Sequence, residues 1–276
     1  MTVSNPLAQQ SQLLKVVEPV LQLMQAGVLK QALTDAFRSQ EAALVEIEEA
    51  FQALTARAHG AAPLRRFFAS WSKTNNSAAS VSGLANRITL LARSEQGSEA
   101  ARRLYQVCTS LHRITDEDLG ALGNTLHADL FYNMATPLCG DDQWLLKANC
   151  LPRAQAFKDW TDGQRLRDRD LLKGLLTTLV HEVYTHGEVE LIHPMFKQWF
   201  ERDMDVPPAR VRATLAWVTV HTGGTESNHF AHAVAAVEEF ADAMGIAVVK
   251  NAAQELFVQY LHYKAEVMRD CAQCLV

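Results

Sequence analysis

Histidines and carboxylates are the residues of this sequence whose types and spacing could do chemistry. Six of its ten histidines fall between His181 and His232. A first stretch reads His181-Glu182-Val-Tyr-Thr-His186-Gly-Glu188-Val-Glu190-Leu-Ile-His193. At about 100° per helical residue, Glu182, His186, Glu190 and His193 lie within roughly 80° of one another. Burying such a stripe is costly unless something pairs its groups, and a metal ion is one solution; a water-facing stripe or a His–Glu hydrogen-bond network is the other. The zincin pattern is absent, because it needs histidines four apart and His181 and His186 are five apart. A second stretch reads Trp217-Val-Thr-Val-His221-Thr-Gly-Gly-Thr-Glu226-Ser-Asn-His229-Phe-Ala-His232. In a regular helix Glu226 points about 140° away from His221. A π-bulge at Gly223-Gly224 would return Glu226 and His229 to the face of His221; a loose glycine kink is the alternative. A third cluster, Asp116-Glu117-Asp118-Leu-Gly120 followed by His127-Ala-Asp129, reads either as a capped helix start or as a distorted helix aiming Glu117 and His127 at one point. Three such clusters without cysteine suit iron or manganese better than structural zinc.

The elements that must position these groups are helices. Apolar residues recur at helical spacing, strand signals are scarce, and Gly and Pro fall between periodic segments. Leu13 to Met24 and Leu33 to Leu54 carry two amphipathic faces, expected as an N-terminal hairpin over 1–60 that extends the fold or serves as a dimer arm. The remainder, 61–276, is expected to be one helical metal-binding domain. It includes helices over Ala100–His112, Asp116–Phe131, Leu171–Phe200 and Arg210–Met244. The Val206-Pro207-Pro208 turn is short, so the last two pack as antiparallel neighbours and their histidines can meet.

Composition excludes several classes. The 276 residues carry a net charge of −5 and no basic stripe, which argues against nucleic acid. No apolar run reaches membrane-spanning length, and the first residues lack a secretory pattern, so a cytoplasmic protein with no membrane partner is expected. The five cysteines, including a terminal Cys271-x-x-Cys274, read as reduced thiols. Trp199, Phe200 and Trp217 are expected in the core, and His59, His112 and His262 at the surface or as caps.

The order of these pieces over about residues 63–245 resembles the haem-oxygenase-like diiron oxidases and oxygenases. That family has a Glu, a Gly-rich stretch and His-x-x-Leu-Phe, matched by Glu117-Asp118-Leu-Gly and His127-Ala-Asp-Leu-Phe131. A lone Glu on a later helix is matched by Glu190 in Glu-Leu-Ile-His-Pro-Met-Phe. A His-x-x-x-Asp/Glu-x-x-His helix is matched by His221, Glu226 and His229, with one residue more than the pattern. The resemblance implies an all-α, haem-oxygenase-like bundle holding Fe(II), two per chain, with O2 as co-substrate. It implies Glu117, His127, Glu190, His221, Glu226 and His229 as ligands, with Asp118, Glu182, His186, His193 and His232 as further candidates. It also implies oxidation of a small amino-acid- or fatty-acid-like substrate in specialised biosynthesis. One family carboxylate has no counterpart in Thr74–Ser82, where Asp118 would have to substitute or one metal position would be weak. A ferritin-like diiron protein is disfavoured, because only a turn separates the Glu190-x-x-His193 and Glu226-x-x-His229 pairs. A metal-poor binding or accessory protein on the same fold is the remaining alternative.

Overall fold

The computed structural model describes residues 10–95, 97–120, 125–204 and 206–276. It is built from thirteen α-helices, with no strand among the described residues. The order is α1 (Gln12–Leu23), α2 (Val28–Ser39), α3 (Glu41–Thr55), α4 (Ala61–Asn75), α5 (Ala78–Ser94), α6 (Glu99–Asp118), α7 (His127–Cys139), α8 (Pro152–Leu166), α9 (Leu171–Arg202), α10 (Pro208–Thr214), α11 (Ala216–Val220), α12 (Gly224–Met244) and α13 (Lys250–Gln273). None of the helices described is long and apolar enough to cross a membrane.

The central element is α9. Nearly every residue from Gly174 to Val189 is buried, including Glu182, His186 and Glu188. A helix buried all round must sit inside the bundle, which is why its polar groups cannot be a water-facing stripe. Asp170 caps its first turn, accepting from Leu172 N at 3.0 Å. Around α9 pack α1, α8, α12 and α13, while α6 lies between α5 and α12.

The N-terminal segment is three helices, and they share the main core. Leu13 and Val17 of α1 meet α9 at Gly187, where a Cβ would come within 2.5 Å of Val17. Buried Glu48 of α3 accepts from Leu13 N at 2.7 Å, anchoring the start of α1 beside its Ser11 cap. The apolar faces of α2 and α3 close on α13. The apolar faces of this N-terminal segment thus pack within one chain.

Two boundaries differ from the sequence expectation. Residues 100–118 are one continuous helix, so Glu117 and Asp118 end α6 rather than begin a helix. The cap of this helix is Ser98, accepting from Ala101 N at 3.0 Å, rather than a residue at the start of the acidic cluster. The expected helix from Arg210 to Met244 is three pieces.

Candidate metal centre

Four parts of the chain converge beside α9. The end of α6 brings Glu117 and Asp118, and the first residue of α7 brings His127. The α11–α12 turn brings His221, and the first turns of α12 bring Glu226 and His229. From α9 itself comes Glu182.

These side chains form two triads that share a neighbour. In the first, His127 Nδ1 is 2.7 Å from Asp118 Oδ1, and His221 Nε2 is 3.8 Å from the same oxygen. In the second, His229 Nδ1 is 3.6 Å from Glu182 Oε2 and 3.8 Å from Glu226 Oε1. Glu226 Oε1 is also 3.9 Å from His221 Nε2, so this carboxylate stands between the triads. Glu117 approaches from the rim, its Oε2 3.4 Å from His229 Nε2. Within each triad the candidate ligand atoms lie within 4.8 Å of one another.

The join before α12 creates this convergence, though not by the expected π-bulge. The helix stops at Val220, and Gly223 adopts φ +70°, ψ −127°, before α12 restarts. That conformation is open to glycine and strained for other residues. Glu190 holds the turn, its Oε1 accepting from Gly223 N at 2.6 Å. The break does what a bulge would have done: it rotates α12 until Glu226 and His229 face His221.

Glu190 is accordingly a correction. It was expected as a ligand, but its carboxylate serves the Gly223 turn and belongs to neither triad, and Glu182, two helical turns earlier, takes that place. Asp118, a secondary candidate, stands at the heart of the first triad, between His127 and His221. His186 is buried outside the triads with Nδ1 unpartnered, and burial pushes its pKa down against the opposing charge of Glu190. His193 and His232 are half-buried and outside both triads. His181 bonds Tyr260 OH at 2.8 Å through Nδ1 and is a core residue. Trp217, expected as plain core, lies against the His221 ring at 4.7 Å and lines a cavity. His59 is the cap expected, bonding the Ala53 and Leu54 carbonyls at the end of α3.

The electrostatics identify what the site needs. Four carboxylates gather here, and among the described residues no Lys or Arg pairs with them; their ion-pair partners are histidines. Burial and the charge of Glu182 push the Glu226 pKa well above the usual carboxylate range. Burial opposes a charge on His229, but the Glu182 hydrogen bond and the nearby carboxylates override it and raise its pKa to about 10. Asp118 is opposed by burial too, yet the hydrogen bond from His127 and the proximity of His221 hold its carboxyl well below the usual range. Three buried ligand atoms, Glu182 Oε1, Glu226 Oε2 and His229 Nε2, have no hydrogen-bond partner. Orphaned buried polar atoms cost about 1–3 kcal/mol each, more when charged. Four negative charges would be balanced by two divalent cations, so the residues fit a metal pair. His221 is also prepared as a ligand: its Nδ1 donates to Trp217 O at 2.6 Å, which fixes the tautomer and leaves Nε2 free.

A cavity of about 340 Å³ opens beside the first triad. Asp118, His127 and His221 lie in its wall with Phe131, Tyr132, Trp144 and Trp217. Behind the wall lies a buried polar knot that the sequence reading missed. Lys264 Nζ is 2.9 Å from Glu188, which also accepts from Trp71 Nε1 at 2.9 Å and from Tyr184 OH. Its members are 71, 184, 188 and 264, too far apart in the chain for local spacing to reveal.

The helical arrangement defines a class. No family model matches the chain, and no curated protein does. Among solved structures it is similar to the crystal structure of a TenA homolog from Pseudomonas syringae pv. tomato str. DC3000. The TM-score is 0.65 at 12% identity, covering 89% of this chain and 93% of that one. The chain thus has an all-helical fold like that of this TenA homolog. At that identity the likeness carries the fold alone, and function must be argued from the site.

Proposed function

We propose that this protein is a non-haem iron oxidoreductase that holds a pair of Fe(II) ions and uses them to activate O2 against a small organic substrate. The observation that carries this reading is a set of three buried imidazoles and four carboxylates, two of them buried, with unpartnered polar atoms and, among the described residues, no Lys or Arg in ion-pair contact. An all-nitrogen and oxygen donor set rich in carboxylate suits iron or manganese, not thiophilic metals. Asp118, His127 and His221 would hold one ion. Glu182, His229 and Glu117 would hold the other, with Glu226 between them. When bound, the metals would supply one-electron redox chemistry toward dioxygen.

The chain's own groups do the rest. Trp217 O orients His221 through the imidazole N–H. Glu190 holds the Gly223 turn, and through it the approach of Glu226. Aromatic side chains around the cavity exclude water from the face where Asp118 and His127 stand, so a guest meets the triad in a low-dielectric setting. Against the opposing effect of burial, the charges of Glu182 and Glu226 favour a proton on His229 in the metal-free site, where an incoming cation would displace it.

The test is anaerobic purification and Fe(II) reconstitution, with metal analysis, Mössbauer spectra and oxygen uptake. Two irons per chain and Fe(II)-dependent oxygen consumption are expected. A chain that takes up no iron, or iron that is inert to oxygen, would overturn the reading and leave a binding or accessory role.

A further inference from the structure

Three of the chain's five tryptophans surround one phenyl ring beside the first triad. The Phe131 centroid is 5.0 Å from Trp217, 5.3 Å from Trp71 and 5.6 Å from Trp144. Trp217 and Trp71 also meet each other, at 5.1 Å. One end of this cluster abuts the candidate ligand His221, whose ring is 4.7 Å from Trp217 and whose Nδ1 donates to the Trp217 carbonyl. The other end reaches the surface at Tyr132, which is 39% exposed and has its ring 6.3 Å from Trp144. Edge-on aromatic packing accounts for the contacts but not for the choice of rings. Apart from the sulfur side chains, indole and phenol give up a single electron most readily. A second outlet lies at Tyr184, which shares the Glu188 carboxylate with Trp71. Lys264 Nζ sits 4.7 Å from the centre of that ring, and a cation there opposes removal of an electron from it. Tyr184 is also fully buried, so no water is at hand to take its phenolic proton. Tyr132 is exposed, and among the described residues no Lys or Arg lies over its ring.

We infer that Trp217, Trp71 and Trp144 carry an oxidising equivalent away from the metal centre and that Tyr132 releases it at the surface. Trp217 gives one electron to the oxidised centre and becomes an indole radical cation. Trp144 returns an electron to Trp217 across Phe131, while Trp71, in contact with both Trp217 and Phe131, shares the charge. Tyr132 then gives an electron to Trp144 and its phenolic proton to water, leaving a neutral phenoxyl radical. A solution thiol restores the phenol by donating a hydrogen atom, and two such sulfur radicals pair as a disulfide. The route serves when oxygen is activated beside an empty cavity. A guest held there would consume the oxidising equivalent; without one, the centre would attack its own ligands. The source of the oxidant rests on the oxidase reading; the path through the rings does not.

The path is tested in the full chain without metal, carrying Trp160→Phe. Trp160 lies 6.4 Å from Tyr260 and 5.3 Å from Tyr263, and would otherwise feed phenols of its own. An ultraviolet flash ionises the tryptophans in place, and a scavenger removes the ejected electrons. Indole-radical absorbance should decay as phenoxyl absorbance rises, at a first-order rate independent of protein concentration. Tyr132→Phe, an exposed and shape-conserving change, should remove most of the phenoxyl signal, and Trp144→Phe should do the same. A phenoxyl signal undiminished in both variants, or no transfer at all, overturns the path. The role at the centre is read in the Fe(II)-loaded chain exposed to oxygen without substrate. Freeze-quenched samples should show a phenoxyl radical by electron paramagnetic resonance, and Tyr132→Phe should lose it and accumulate oxidised Trp217 by mass spectrometry. Oxygen consumption without that radical would sink this inference and leave the oxidase reading intact. Flash-driven transfer in a chain that takes up no iron would sink the oxidase reading and leave the path standing.

Discussion

Adding a divalent metal to the metal-free protein at neutral pH should drive protons into the buffer. His229 is the reason. Burial disfavours its charge, but the Glu182 hydrogen bond and the charges of Glu182, Glu226 and Asp118 raise its pKa to about 10. Near pH 7 the ring is therefore an imidazolium, and it must lose a proton before it can ligate. Holding that proton about three pH units below its pKa is worth about 4 kcal/mol, at 1.36 kcal/mol per unit. Metal affinity should accordingly rise about tenfold per pH unit from neutrality toward 10, and more steeply if the proton that burial favours on Glu226 leaves as well. The same shift governs the metal-free fold. A histidine whose folded pKa is raised contributes stability that is fully present below its ordinary value of 6.5 and lost as pH rises through about 10. Calorimetric titration with Zn(II) or anaerobic Fe(II), in buffers of different ionisation enthalpy, measures the protons released directly. At least one per chain is expected near pH 7, and His229→Gln should remove one. Tight metal binding with no proton release would refute the electrostatic account of the second triad.

Three further perturbations separate the roles assigned here. Glu182→Gln should lower metal stoichiometry, whereas Glu190→Ala should leave metal content intact and cost about 1 kcal/mol of stability through the lost bond from Gly223 N; metal analysis and urea melts of both variants decide, and the opposite pattern would restore Glu190 as the ligand. Gly223→Ala should destabilise by about 1–3 kcal/mol, because a Cβ strains the φ +70° backbone, and should weaken metal binding by misplacing Glu226 relative to His221; an unchanged melt and unchanged affinity would show that the turn tolerates a side chain. Lys264→Met should cost about 3–5 kcal/mol by leaving the Glu188 charge uncompensated, and Lys264→Met combined with Glu188→Gln should recover part of the loss; denaturation of the single and double variants measures the coupling.

Much of this architecture was legible in the residues. The helical class followed from apolar periodicity, and α9 was found almost to its ends because its cap, length and breakers are local features. Five of the six principal ligand candidates, at 117, 127, 221, 226 and 229, do converge, since donor types spaced on neighbouring helices leave few other ways to face. The choice between Glu182 and Glu190 was not legible. Both lie on one stripe, and only the packing of α12 on α9 determines which carboxylate meets His229 and which meets a backbone amide. The rank of Asp118 among the candidates was left open for a similar reason: whether residues 116–118 begin a new helix or end an old one depends on how α6 packs between α5 and α12. The Gly223-Gly224 signal marked the right place and the wrong device, because a glycine pair permits both a bulge and a break and the hydrogen bond that Gly223 N donates to Glu190 favours the break. The knot of Trp71, Glu188 and Lys264 joins residues up to 193 positions apart. Local sequence carries helix-forming tendency and donor chemistry. Contacts across such distances exist only once the chain has closed, so the orientation of each donor was left to the tertiary structure.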